Sequence, residues 1–304
     1  MRIVLIGQAA FGEKVLDTFL ARGECVVGVF CPPDTPARPD PLRVLAERRG
    51  RPVFQPPKLR GAGVFEQYAA LQPDLTVMAF VTDIVPERFL SLPRLGTIQY
   101  HPSLLPRHRG GSAIHWAVIQ GETETGLTIF WPDRGIDTGP ILLQKRVAIG
   151  PDDTTGSLYF NTLFPLGVAA LAEAVDLVRA GTAPRRPQDE ALATQEPLCT
   201  EALTHIVWDR PAGQVYNLIR GANPQPGAVT GWRGRRLKLF DCQPRGLARP
   251  ARPGEVLSVG PEGFEVAAAD GALLIKRVQL EGQAKLKASD FSAAEALAAG
   301  DVLG

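Results

Sequence analysis

The segment Ile98–Gly110, IQYHPSLLPRHRG, carries the densest chemistry in the chain. It sets His101 at the end of an apolar run, two residues after Gln99. Pro102 and Pro106 then bend the chain, and Gly110 and Gly111 open a helical pattern. Further on, Gly135-Ile136-Asp137-Thr138-Gly139 forms a second compact turn. An imidazole moves protons near neutral pH, and a carboxylate beside it holds its tautomer or tunes its basicity. A side-chain amide can donate to an oxyanion growing on a tetrahedral carbon. Gln99, His101 and Asp137 are therefore candidates for one proton-handling site. The plainer alternatives are a packed strand histidine and a turn aspartate that bonds its own backbone.

The elements that would position these residues follow from hydrophobic pattern. Side chains alternate along a strand, so Gln99 and His101 share a face. Apolar runs at Ile3–Ile6, Cys25–Phe30, Leu75–Phe80 and Gly96–Tyr100 alternate with helical patterns at Phe11–Phe19, Leu42–Arg49, Val64–Leu71 and Pro86–Leu92. Unbroken apolar strands between helices predict a Rossmann-like α/β fold, a mostly parallel sheet with helices on both faces. His101 then lies at the carboxyl end of a strand, where open α/β sheets bind ligands. Gly111–Gln120 reads as a helix, and Thr125–Trp131 and Ile141–Ile149 as strands flanking the Asp137 turn. Thr154–Ala180 reads as the closing helix of this domain. Thr182–Pro197 is proline-rich, charged and aperiodic, a linker or a surface strap. Beyond it, a helix at Ala212–Arg220 precedes β-like runs at Val229–Trp232, Leu237–Phe240, Glu255–Val259, Phe264–Ala267 and Leu273–Leu280, the pattern of a small sandwich or barrel. The expected division is a catalytic domain over 1–203 and a β-barrel domain over 204–304.

Composition narrows the function classes. A chain of 304 residues with a net charge of +1 lacks the basic footprint of a DNA-binding protein. The four cysteines form no CxxC pair, and His101, His108 and His115 fall on different elements, so no metal is expected. Gly7–Gly12, GQAAFG, lacks the middle glycine of a dinucleotide loop and the lysine of a phosphate loop. It reads as a tight strand-to-helix turn. The first residues read as a strand rather than a leader, and no apolar stretch of the ~18–20 residues that span a bilayer is apparent. A cytoplasmic protein without membrane attachment is the expectation. Arg233, Arg235, Arg236 and Lys238 cluster around Trp232, either as a phosphate or RNA contact or as a solvated hairpin.

The stretch YHPSLLPRHRG…SAI followed by IDTG resembles the 10-formyltetrahydrofolate-dependent formyltransferase superfamily. The resemblance covers nearly the whole chain. IGQAAFG, VGVFCPPD, the Ile129-Phe130-Trp131 run and WDRPAGQVYNLIRGANPQPGA are similar to the hydrolase domain of 10-formyltetrahydrofolate dehydrogenase in particular. The family implies 10-formyltetrahydrofolate as formyl donor and an OB-like β-barrel as second domain. It implies His101 as catalytic histidine and Asp137 as essential aspartate. Ser103, Leu104, Leu105 and Pro106 match the loop near the folate. Asp83, Ile84 and Val85 fall where the hydrolase domain meets the pterin, with Met78, Ala79 and Phe80 leading into them. Gly135 and Ile136 flank the aspartate. Two residues before the histidine, family transferases carry asparagine and the hydrolase domain an apolar residue, whereas this chain has Gln99. The extra methylene displaces the amide by about an ångström, a misplacement worth roughly a hundredfold in rate. The short, charge-balanced Pro32–Arg43 segment stands where methionyl-tRNA formyltransferases carry a basic insertion. The implied acceptor is water or a small amine. The alternatives are initiator Met-tRNA, an amino-sugar nucleotide, or a folate-binding module with little turnover.

Overall fold

Ile3 and Leu5 turn to one face of the first strand, Val4 and Ile6 to the other, and all four are buried. Each face meets helices, which is why the run is apolar at every position. The architecture comes from a computed structural model that describes every residue except Pro36, Ala37 and Ala248. The part of the Pro32–Arg43 reading that falls on Pro36 and Ala37 lies outside the described residues. Among the described residues, the chain divides into two compact units. One gathers Met1–Gly111, Gly126–Val147 and Phe160–Glu196; the other gathers Ser112–Thr125, Ala148–Tyr159 and Pro197–Gly304.

In chain order the elements begin β1 (Arg2–Gly7), α1 (Ala9–Ala21), β2 (Cys25–Phe30), α2 (Pro41–Arg48), β3 (Val53–Phe54), α3 (Val64–Ala70), β4 (Leu75–Ala79), α4 (Glu87–Ser91), β5 (Thr97–His101), α5 (Ala113–Ile119), β6 (Glu124–Phe130) and β7 (Ile141–Ala148). The sheet of the first unit runs β3-β2-β1-β4-β5-β6-β7. β1 to β5 pair in parallel, while β6 runs antiparallel to β5, with His101 opposite Thr128 and Gln99 opposite Phe130. The sheet is thus mostly parallel, with helices on both faces. The order reverses between β1 and β4, the switch that opens a crevice at the carboxyl ends of the strands.

Ile3, Leu5, Val77, Ile98 and Ile129 pack with α1, α2 and α7 (Phe164–Arg179). Val4, Ile6 and Met78 pack with Val64 and Tyr68 of α3 and Phe89 of α4. Asp40 caps α2 through the Leu42 amide at 2.9 Å, and the same carboxylate takes the Ala9 amide at 2.9 Å. Gly7 packs so closely on the Ala79 carbonyl that a Cβ would collide with it. The Gly7–Gly12 turn therefore serves close packing.

The stretch read as one closing helix is α6 (Thr155–Leu158), a π-helical turn at Tyr159–Leu163, and α7. Thr154 and Ser157 form a capping box at its start. Together Thr155–Arg179 is a 25-residue helix whose most apolar window has mean hydropathy 1.4. That corrects the sequence expectation, since by length and composition this run could cross a membrane. Its apolar character follows from packing: Val168, Leu171, Val175 and Val178 lie in the core with β1, β4 and β5.

The second unit continues with α8 (Ala212–Gly221), β8 (Ala228–Trp232), β9 (Arg235–Leu239), β10 (Cys242–Arg245), β11 (Val256–Gly260), β12 (Gly263–Ala267), β13 (Ala272–Ile275), β14 (Arg277–Leu280), β15 (Leu286–Lys287) and α9 (Ala288–Ala294). Two antiparallel sheets form, β10-β13-β12-β11 and β15-β14-β9-β8. The run read as one strand over Leu273–Leu280 breaks at Lys276. Its amide bonds the Asp241 carbonyl at 2.7 Å, and the halves join different sheets. Phe264, Ile275, Leu239, Val278 and Phe291 share a core between them.

Candidate active site

His101 is the last residue of β5 and is 4% exposed. Its Nε2 lies 2.8 Å from the His108 carbonyl. A carbonyl only accepts, so Nε2 carries the proton and donates it. That leaves Nδ1 as the nitrogen facing the site, 3.5 Å from Oδ2 of Asp137. Asp137 is itself buried, and the same Oδ2 accepts the Gly110 amide at 2.8 Å. The two residues thus meet, held by opposite ends of two loops. With one ring nitrogen committed, the other can gain or lose a proton beside a fixed carboxylate.

The loop after β5 explains why the ring sits there. Leu105–Pro106 is a cis peptide bond, and Ser103 is wholly buried, its hydroxyl donating to the Arg107 carbonyl at 2.6 Å. The buried Thr128 hydroxyl donates to the Ser103 carbonyl at 2.6 Å and accepts the Leu105 amide at 3.1 Å. Gln144 donates to the Leu105 carbonyl at 2.9 Å and to Thr128 at 3.0 Å. Leu105 and Pro106 are buried and Leu104 half-buried, so these bonds fix the backbone of the loop that follows His101.

The aspartate turn has its own support. Asp137 adopts a left-handed φ of 57°. Asp133 anchors the entry, accepting the Gly135 amide at 3.0 Å and the Thr138 hydroxyl at 2.5 Å. A Cβ on Gly139 would strike the Trp131 carbonyl, so only glycine closes the turn there. Gln188 donates to the carbonyls of Asp137 and Gly139, both at 2.8 Å. Arg109, 8% exposed, donates to Gln188 at 2.8 Å and to Glu190 at 2.7 Å and 2.9 Å. The Glu190 hydrogen bonds raise the pKa of that guanidinium above its ordinary range, and the charge of Asp137 adds to the effect.

The remaining sequence candidates spread around this pair. Gln99 is half-buried, and its amide makes no hydrogen bond among the described residues. Met78 and Ala79 are buried in the end of β4, whereas Phe80 has a φ of 61° and is 45% exposed. Ile84 and Ile136 also present apolar side chains to solvent, at 76% and 57% exposure. Val85 is half-buried. The Asp83 carboxylate accepts the Leu59 amide at 2.9 Å and the Ile84 amide at 3.0 Å, bonds that fix the loop after β4.

A groove of about 650 Å³ borders the aspartate turn, lined by Leu90, Thr97, Trp131, Pro132, Asp133 and Gly135, among others. Of the sequence candidates, only Gly135 lines it. The Arg185 guanidinium lies 3.8 Å over the Trp131 ring at its wall, and burial lowers the Arg185 pKa. Arg134 and Glu87 pair at 2.8 Å across other lining residues. Sequence reasoning missed Thr128, Gln144, Gln188 and Thr194, because each acts through partners distant in the chain. Among the described residues no set of three His, Cys, Asp or Glu side chains gathers to hold a metal.

In the second unit, the basic hairpin is matched by carboxylates. Arg235 pairs with Glu295 at 3.3 Å, Arg236 with Glu281 and Glu201 at 2.5 Å and 2.6 Å, and Lys238 with Glu201 at 2.6 Å. Arg233 lies 4.4 Å over Trp232.

A doubly covered, mostly parallel sheet thus carries a buried imidazole–carboxylate pair at a strand's carboxyl end, where open α/β sheets bind ligands. The formyl transferase domain matches residues 1–175 and the formyl transferase C-terminal domain residues 199–295, and the chain belongs to this family. It is 43% identical over 307 residues to the cytosolic 10-formyltetrahydrofolate dehydrogenase of Mus musculus, covering 96% of the chain but 34% of that protein. The chain thus spans about a third of the dehydrogenase relatives it matches. It is 40% identical over 310 residues to the methionyl-tRNA formyltransferase of Geotalea uraniireducens (strain Rf4), covering 98% of that protein. Among solved structures, HypX from Aquifex aeolicus in complex with tetrahydrofolic acid superimposes with a TM-score of 0.70 at 21% identity, over 96% of this chain and 47% of that one. An N-formyltransferase from Helicobacter canadensis gives 0.68 at 17% identity, over 90% of this chain and 97% of that one. These two show the fold.

Proposed function

We propose that this enzyme takes the formyl group from 10-formyltetrahydrofolate and passes it to water or a small amine. The observation that carries the reading is the buried His101–Asp137 pair, with Nε2 committed to a carbonyl and Nδ1 turned to the carboxylate. The acceptor's oxygen or nitrogen attacks the formyl carbon, and its proton passes to Asp137. The Gln99 amide donates to the formyl oxygen as it becomes an oxyanion. Asp137 hands that proton to the unprotonated Nδ1 of His101; the tetrahedral carbon then collapses, the C–N10 bond breaks, and His101 passes the proton from Nδ1 to N10. With water the products are formate and tetrahydrofolate. The flat pterin lies against Asp83, Ile84 and Val85 beyond β4, and Phe80 and Ile136 supply further exposed apolar contact for the folate. In this reading residues 1–203 handle the donor and 204–304 form the β-domain, in a cytoplasmic enzyme.

A second reading, transfer to initiator Met-tRNA, is favoured by the near full-length match to a methionyl-tRNA formyltransferase. The pairing of the basic hairpin with Glu201, Glu281 and Glu295 weighs the other way, since those cations already have anionic partners. The test incubates the protein with 10-formyltetrahydrofolate and follows tetrahydrofolate, with and without Met-tRNA. Release without acceptor supports hydrolysis; release only with Met-tRNA replaces it with transfer. Tight binding without turnover under any condition makes the protein a folate-binding module and refutes the catalytic reading.

A further inference from the structure

The aperiodic stretch Thr182–Pro197 is bonded along its length to the two loops that carry the site. Arg186 exchanges backbone hydrogen bonds with Ile141 at 2.7 Å and 3.0 Å, so the stretch adds an edge beside β7. From there it reaches Asp137 directly and His101 through His108. On the aspartate side, Gln188 bonds the carbonyls of Asp137 and Gly139, which bracket Thr138. Those bonds hold a non-glycine residue at positive φ, a conformation that L side chains adopt at some cost. On the histidine side, the Thr194 hydroxyl accepts the His108 amide at 2.8 Å. The Thr194 amide donates to the Pro106 carbonyl at 3.2 Å, and its carbonyl accepts the Arg109 amide at 3.0 Å. His108 is held by these bonds, and its carbonyl is what fixes His101 Nε2. Arg109 joins the two ends, bonding Gln188 and Glu190.

We propose that this strap positions both members of the His101–Asp137 pair, with Gln188 and Thr194 as its positioning residues. The inference rests on the catalytic reading of that pair. Buried backbone carbonyls take a partner at a real free-energy cost if left bare, so the turn adopts its working shape when the Gln188 amide is present. The carboxylate is then kept 3.5 Å from Nδ1, from which a small shift brings it into hydrogen-bond reach, and a displacement of about an ångström costs roughly a hundredfold.

Gln188→Glu keeps the side chain's shape and its acceptor for Arg109 but removes both donors to the turn. The expected result is a kcat, per folded molecule, lower by about ten- to a hundredfold. KM for 10-formyltetrahydrofolate stays near that of the unaltered protein, the pH–kcat profile moves, and amide exchange over residues 133–140 accelerates. Thr194→Val gives the same signature from the histidine side, and Thr194→Ser restores it; this pair carries the test should Gln188→Glu not fold. Unchanged kcat and pH profile in Gln188→Glu and Thr194→Val, or losses that only track melting temperature, overturn the strap's role. Asp137→Ala separates the two layers. If it is inactive while the strap variants are normal, only this inference fails; if it is active, the catalytic reading itself fails.

Discussion

A neutral imidazole has one donor and one acceptor, and the surroundings of His101 decide which nitrogen is which. The His108 carbonyl claims the Nε2 proton, so Nδ1 is the nitrogen that faces Asp137, 3.5 Å away. His101→Ala and Asp137→Ala should each lower kcat by about 10²–10⁴-fold with an unchanged far-UV circular dichroism spectrum; turnover near that of the parent would remove the pair from the mechanism. Gln99→Leu deletes the only unengaged amide proposed for the oxyanion and should cost about 10²–10³ in kcat with KM little altered. The placing of His101 and Gln99 on one strand face and of Asp137 in a glycine-flanked turn was legible in the sequence, because strand alternation and turn chemistry are local patterns. Arg109, Gln188 and Thr194 were not, since a hydrogen bond between residues 79 apart in the chain, as from Arg109 to Gln188, leaves no periodic trace.

At the scale of elements, the turn between β6 and β7 and the helix α5 make contrasting predictions. Gly139→Ala places a methyl against the Trp131 carbonyl, so the turn must open. Activity should fall at least tenfold, with faster proteolysis within 131–140, and a fully active Gly139→Ala enzyme would show that the turn is not rigid. On α5, burial lowers the pKa of His115 below its ordinary 6.5, and the Gln225 carbonyl at 3.1 Å offsets this only in part. The fold therefore prefers neutral His115. Its contribution to stability is fully present above pH 6.5 and is lost as pH falls from there through the folded-state pKa. The slope is at most about 1.4 kcal/mol per pH unit. Urea unfolding at pH 7.5 and 5.5 should show a smaller pH-dependent loss in His115→Gln than in the parent; equal losses would remove His115 as a cause. Most elements could be placed from hydrophobic period. The break at Lys276 could not, because it is made by backbone bonds to residues distant in the chain, from the Lys276 amide to the Asp241 carbonyl and from the Ala288 amide to the Lys276 carbonyl.

Across the whole molecule, the thiols report which parts of the chain are sealed. Burial pushes Cys31 up to about 12, with Asp40 adding to it, and Cys199 to about 11. Cys242 is raised further, chiefly by burial. Cys25 is the exposed one. Under native conditions at pH 8, a thiol reagent should titrate one cysteine quickly and three slowly, and all four at once in denaturant. Fast reaction of Cys31 would contradict the packing of β2 against α2. The same scale gives meaning to the net charge of +1: charges of both signs are paired on the surface, as in the hairpin of Arg235, Arg236 and Lys238.

Sequence alone determined the alternation of apolar strands with amphipathic helices, the change to short β runs after the proline-rich stretch, and the family resemblance carried by the His101 and Asp137 segments. Those features are fixed by neighbours a few positions away, so periodicity and turn chemistry expose them. Tertiary structure alone decided which imidazole nitrogen faces Asp137, that the proline-rich stretch is a brace rather than a tether, and that the cationic hairpin is already satisfied by glutamates. Each of these depends on groups brought together across long stretches of chain, where the free energy lies in contacts that no local pattern encodes.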